Sequence, residues 1–302
     1  MVHYENRLPP EGINVSRKSA GRIFLKLLAV AVVLVVVLVV VTTVLGSTLA
    51  KYVPFRYETQ LMDKLELPLR DAGILLDDPT QNVDVTQWLQ SLVDELTPLL
   101  PVKDDMQFKA NFSCSEDFNA FATLGGQMVF NRGLLRVMPS ENSVAMVVAH
   151  EMAHVVHRDP IAGLGGGLAS MAALTLVTGI NTQSSTVSSL LRGTGALTQR
   201  SFSRKMEYAA DEAGLSAVAA RYGHTNGADM LFRLLSGAMD NDGTTDAVAL
   251  TRRRLEQFSS THPLDDSRIA AIETLSSKNG WSMDGKLTPL PFNLRQWMSA
   301  CD

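Results

Sequence analysis

Leu27 to Ala50 carries no charged residue, and its first part reads LLAVAVVLVVVLVVVTTVL. A run of about 20 apolar residues matches the hydrocarbon core of a bilayer. A globular strand or buried helix seldom stays apolar for so long. The competing reading is a cleaved signal peptide, with Thr48-Leu49-Ala50 as a small-residue site. Signal cores, however, run only about 7–15 residues. The chain is therefore expected to divide into a basic tail over 1–22, a transmembrane anchor over 23–50 and one domain over 51–302.

Charge supports that division. Residues 1–26 hold Arg7, Arg17, Lys18, Arg22 and Lys26 against Glu5 and Glu11, so a net charge of −4 for all 302 residues leaves the remainder at −7. An acidic domain with 6% aromatics offers no footprint for nucleic acid. Lys51, Arg56, Lys64 and Arg70 follow the span closely. The charge bias is thus small, but it favours a cytoplasmic tail and a single-pass protein with its domain on the extracytoplasmic (periplasmic) side. The only cysteines, Cys114 and Cys301, are too few for a disulfide scaffold and lack C-x-x-C spacing. They stand either as two small hydrophobes or as one bridge in an oxidising compartment.

Along the domain, Pro54 predicts an extended segment over 52–58. Residues 86–97 have the period of an amphipathic helix, with Thr86 as cap. Strands are expected over 106–112 and 127–130, with a turn at Leu124-Gly125-Gly126 between them. Helices are expected over 141–158, 203–222, 226–239, 247–258 and 265–277. Pro160 to Leu191 is free of charge. It reads either as a Gly-rich core hairpin or as a segment that dips into or crosses the membrane, where Gly163 and Gly167 would suit close helix contact. Asp240-Asn241-Asp242-Gly243 has the wrong spacing for a calcium loop and reads as a turn.

His150-Glu151-Met152-Ala153-His154 is the strongest chemical signal. On a helix, residues four apart lie one turn up on the same face, so both imidazoles can reach one ion. Glu151 lies about 100° round, near enough to touch the attacking water without binding the metal. A catalytic zinc site needs three protein ligands and an open position. The third ligand is expected from Glu207 on the 203–222 helix. Asp211, one turn on, would accept the free ring N–H of His150 and fix its orientation. His157 is read as a helix-end partner for Asp159 or the last carbonyls.

These motifs carry a resemblance. The chain resembles the membrane-associated zinc peptidases (gluzincins) grouped with the heat-shock protease HtpX and the CAAX prenyl endopeptidase. Their H-E-x-x-H is followed by S-R-x-x-E-x-x-A-D, matched by Ser203, Arg204, Glu207, Ala210 and Asp211. Asn119-Ala120-Phe121-Ala122, Gly133-Leu134-Leu135, and Thr261-His262-Pro263 before Arg268-Ile269 extend it over about 52–275. A single N-terminal span departs from the multi-spanning members.

The resemblance implies an α+β, mostly helical, zincin-like fold with a small sheet, one Zn2+ per chain and hydrolysis of protein or peptide substrates near a membrane. Protein quality control is the expected setting. It implies that Gln127, Met128, Val129 and Phe130 form an edge strand along which substrate lies extended, with Asn119 nearby. It also implies that His262 stabilises the oxyanion; a resting state in which His262 fills the fourth metal position is a related expectation. The rivals are a zinc-binding scaffold or chaperone that holds exposed strands without cleaving them, and an anchored interaction protein with an accidental motif.

Overall fold

The computed structural model describes residues 20–71, 83–103, 105–179, 202–235, 250, 252–254, 256–258, 261–262 and 267–301. The tail before residue 20, the 180–191 part of the uncharged segment, the 240–243 turn and parts of the 226–239 and 247–258 helices lie outside them.

The first element is α1, Ala20–Ala50. Its 31 residues extend roughly 46 Å at 1.5 Å per residue. After a turn, α2 (Phe55–Asp71) begins directly behind Pro54. The expected extension over 52–58 is therefore not found: Tyr52 and Val53 turn back on the end of α1, and the helix follows Pro54 at once, because proline is well accommodated at a helix start. Helix α3 (Val83–Leu96) starts earlier than its Thr86 cap signal suggests and buries Val85, Leu89, Leu92, Val93 and Leu96.

Three strands follow: β1 (Lys109–Ser113), β2 (Ala120–Ala122) and β3 (Gln127–Asn131). Their order is β1-β3-β2, with β1 parallel and β2 antiparallel to β3. This corrects the expectation that Gln127–Phe130 forms an edge. β3 is central, its backbone engaged on both sides, and Met128, Val129 and Phe130 are buried. Strand β2, too short to stand out by alternation, is the edge that meets the helix carrying His150 and His154.

Short α4 (Arg132–Leu135) leads to α5 (Glu141–Val156), which is capped by Ser140 and Ser143 in a reciprocal box. Asn142 to Val155 are all buried, so α5 is the central helix and not an amphipathic surface one. Next come α6 (Asp159–Thr178), α7 (Arg204–Tyr222), α8 (Met230–Leu235), α9 (Ser267–Lys278) and α10 (Leu294–Met298). Over the described part of the uncharged segment, α6 is one continuous helix. The main core gathers side chains of α3, the sheet, α5, α7 and α8 around Leu89, Phe130, Met152 and Leu215. Cys114 and Cys301 form a disulfide with their Cα atoms 5.5 Å apart, joining the end of β1 to the C-terminus. The fold is mostly helical with one small mixed sheet.

Candidate active site

Helices α5 and α7 cross at Gly214, where an added Cβ would lie 3.2 Å from the backbone nitrogen of His150. A residue without a side chain lets the helices approach this closely with no neighbour having to shift. The contact brings Glu207, about two turns earlier on α7, to His150 and His154.

The donor atoms form a compact set. His150 Nε2 and His154 Nε2 are 3.1 Å apart. His150 Nε2 is 3.6 Å from Glu207 Oε2, and His154 Nε2 is 3.5 Å from Glu207 Oε1. A tetrahedral ion with bonds of about 2.0–2.1 Å separates its ligand atoms by roughly 3.3–3.4 Å. The three side chains therefore fit such an ion. His262 brings a fourth donor, and all four lie within 4.8 Å of one another.

The surroundings orient these groups. His150 Nδ1 donates to Asp211 Oδ1 at 2.9 Å, the predicted contact. His154 Nδ1 donates to Asp159 Oδ2 at 3.1 Å. Each ring nitrogen facing a carboxylate carries a proton, which directs Nε2 to the shared centre. Arg268, 1% exposed, donates from Nε and Nη2 to Asp211 at 2.7 Å each and lies 2.8 Å from Glu207 Oε2 through Nη1. Phe202 stacks on the His154 ring with centroids 3.9 Å apart.

The centre attracts positive charge. Burial would lower the His150 pKa, but hydrogen bonds to Asp211 and Glu207 push it up to about 10. Burial would raise Glu207, yet His262, His150 and His154 hold it well below the usual carboxylate range. Asp211 is also lowered, burial being outweighed by His150 and Arg268. A buried carboxylate ringed by imidazoles suits a cation.

Glu151 stands beside this set. Its Oε1 is 3.4 Å from His262 Nε2, while its buried Oε2 has no hydrogen-bond partner among the described residues. An acceptor left free at a metal site is what proton transfer from a water requires. His262 is fully buried; its Nδ1 lies 3.1 Å from Glu207 Oε1 and its Nε2 lies 3.2 Å from the Ala120 carbonyl oxygen. Asn119 Oδ1 accepts from Thr261 Oγ1 and so ties the His262 turn to β2.

The structure thus gathers His150, Glu151, His154, Glu207, Asp211 and His262, and brings Asn119 to the rim. Gln127 to Phe130 sit one strand farther away. Asp159, Arg268 and Phe202 had no assigned part in the site. Asp159 serves His154 instead of His157, and His157 lies outside the four-donor group. A carboxylate one residue past the predicted helix end was the available signal.

The model described as Peptidase family M48 matches residues 84–276. The Beta-barrel assembly-enhancing protease of Escherichia coli (strain K12) is 30% identical over 237 residues, which is 75% of this chain and 45% of that protein. A Protease HtpX homolog of Burkholderia mallei (strain SAVP1) is 28% identical over 180 residues, or 51% of this chain and 63% of that protein. The chain spans roughly half the length of these relatives. The match to the family model takes in both α5 and α7 and most of the 302 residues, and the chain belongs to peptidase family M48.

Proposed function

We propose that this chain is a membrane-anchored zinc endopeptidase acting on protein substrates close to the bilayer. The observation that carries the proposal is the convergence of His150, His154 and Glu207 on one point with an unpartnered Glu151 oxygen beside it. Zinc, when bound there, would polarise the scissile carbonyl and make a water nucleophilic near neutral pH. Glu151 takes the proton of the attacking water and returns it to the leaving amine. Asp211 and Asp159 keep the two imidazoles aimed.

Substrate is expected along β2. Asn119 O accepts from Asn131 N, and Thr123 N donates to Gln127 O. By the period of two, the N–H and C=O groups of Ala120 and Ala122 then face away from β3. An extended peptide can add there by main-chain hydrogen bonds with little sequence demand. The Ala120 carbonyl is held by His262 in this structure, so substrate and His262 compete for it. This supports a resting state in which His262 closes the centre, and a working state in which it moves to donate to the developing oxyanion. In a cobalt-substituted protein, His262→Ala should change the visible spectrum of the resting enzyme; an identical spectrum would remove His262 from the coordination sphere.

Two described helices, α1 and α6, are long and apolar enough to cross a membrane. Lys51 meets Asp159 and Gly46 meets Ala169, so α6 runs antiparallel to α1 from the same end. Added Cβ atoms at Gly46 and Gly165 would collide with Ala169 and Ala50, as in small-residue helix contacts in lipid. We read α6 as lying in the bilayer beside the anchor, with the peptidase domain at the membrane surface. The Cys114–Cys301 bridge supports the oxidising, extracytoplasmic side. Misfolded or membrane-associated proteins are the expected substrates. The E. coli relative's name refers to β-barrel assembly, and by that likeness proteins of such assemblies are candidate substrates here.

The test is Glu151→Gln in full-length, detergent-purified protein. It should keep zinc and lose at least about 100-fold in cleavage of an unfolded protein, the scale of general acid–base catalysis. Normal cleavage by the variant would refute the mechanism. A scaffold that acts without cleaving predicts that the variant retains full effect on its clients in cells.

A further inference from the structure

The segment just after the anchor is fastened to the corner between α5 and α6. Lys51 Nζ donates to the His157 carbonyl oxygen and lies 2.9 Å from Asp159 Oδ1. The other oxygen of the same carboxylate, Oδ2, accepts from His154 Nδ1. One buried carboxylate thus bridges the first charged residue beyond the membrane span and a candidate metal ligand. Asp159 is 1% exposed, whereas the Lys51 side chain is 38% exposed.

A second clasp holds the same corner. Arg158 connects α5 to α6 and is the only non-glycine described residue in the left-handed region, at φ 64°. Such a conformation persists in an arginine only where its surroundings hold it. Its guanidinium pairs with Glu58 Oε1 at 2.5 Å and donates to the Val53 carbonyl oxygen. Glu58 Oε2 in turn accepts from Gly125 N in the turn before β3. Residues 51–58 therefore grip both the end of the metal-binding helix and the approach to the sheet.

We propose that Lys51 is a positioning residue for the metal centre, so that docking of the membrane anchor sets the affinity of the site for zinc. The lysine acts through Asp159: it fixes the carboxylate, and the carboxylate fixes the His154 ring. Carboxylates behind ligand histidines change metal affinity by about 10–100-fold when lost. Lys51 stands one layer farther out, so the lower end of that range applies. This inference rests on zinc binding by His150, His154 and Glu207.

The experiment measures zinc dissociation constants by chelator competition, with visible spectra of the cobalt form, on full-length protein in detergent. Lys51→Met should weaken zinc binding about tenfold and alter the cobalt spectrum. Lys51→Arg, which restores the charge and donors, should recover most of the loss. In an Asp159→Asn background, Lys51→Met should add nothing, because its route is already cut. Gly46→Leu, which pries α1 from α6, should resemble Lys51→Met. The exposed Lys278→Met serves as the control for loss of a surface charge. Unchanged affinity in a folded Lys51→Met protein, or full additivity with Asp159→Asn, would overturn the proposal alone. A wild-type protein that binds no zinc would overturn the metal site with it.

Discussion

Arg268 faces two buried acids at once, Asp211 through a bidentate pair and Glu207 through its third nitrogen. Each acid is also bound to a histidine of the centre. Removing the guanidinium leaves carboxylate charge inside the protein with part of its compensation gone. Breaking one side of a buried pair costs about 3–5 kcal/mol. Arg268→Met should therefore lose stability on that scale in urea unfolding; a loss below about 1 kcal/mol would show that the pair is solvated. At this scale the sequence was partly legible. His150, His154, Glu207 and Asp211 declare themselves because i, i+4 spacing on a helix is a geometric statement. Arg268 and Asp159 do not, since Arg268 reaches the site from another helix and the left-handed turn at Arg158 hides Asp159 from any helical period.

At the scale of elements, the site depends on the closeness of α5 and α7. At Gly214 an added side chain would press on the backbone of His150. Gly214→Leu should separate the helices, withdraw Glu207 from the imidazoles and abolish stoichiometric zinc while helical circular dichroism is retained. A variant with normal zinc content would place the register of the two helices elsewhere. The helices were readable from apolar periodicity, and the structure caps them with Ser140, Ser203 and Gly223. The order of the strands was not. Alternation tells which face of a strand is buried, but not which neighbours it takes, and the parallel pairing of β1 with β3 skips over β2 in sequence. That is why the edge proposed for substrate is β2, which follows Asn119, and not Gln127–Phe130.

At the scale of the whole molecule, α5 ends where the two long apolar helices, α1 and α6, come together. His154, Asp159 and Lys51 lie in one chain of contacts from the centre to the end of α1, and the disulfide closes the far side of the domain by joining β1 to the C-terminus. The long apolar helix was evident from its length and lack of charge; its wiring to the candidate site was not, because contacts separated by more than a hundred residues leave no local pattern. The central claim remains that two helices present one ion with two imidazoles and one distant carboxylate. Metal analysis of full-length protein purified in detergent tests it most directly. Wild type and Glu151→Gln should each hold about one zinc per chain, and a folded Glu207→Ala protein should hold almost none. Zinc-free wild type, or a Glu207→Ala variant that retains its full zinc, would contradict the account.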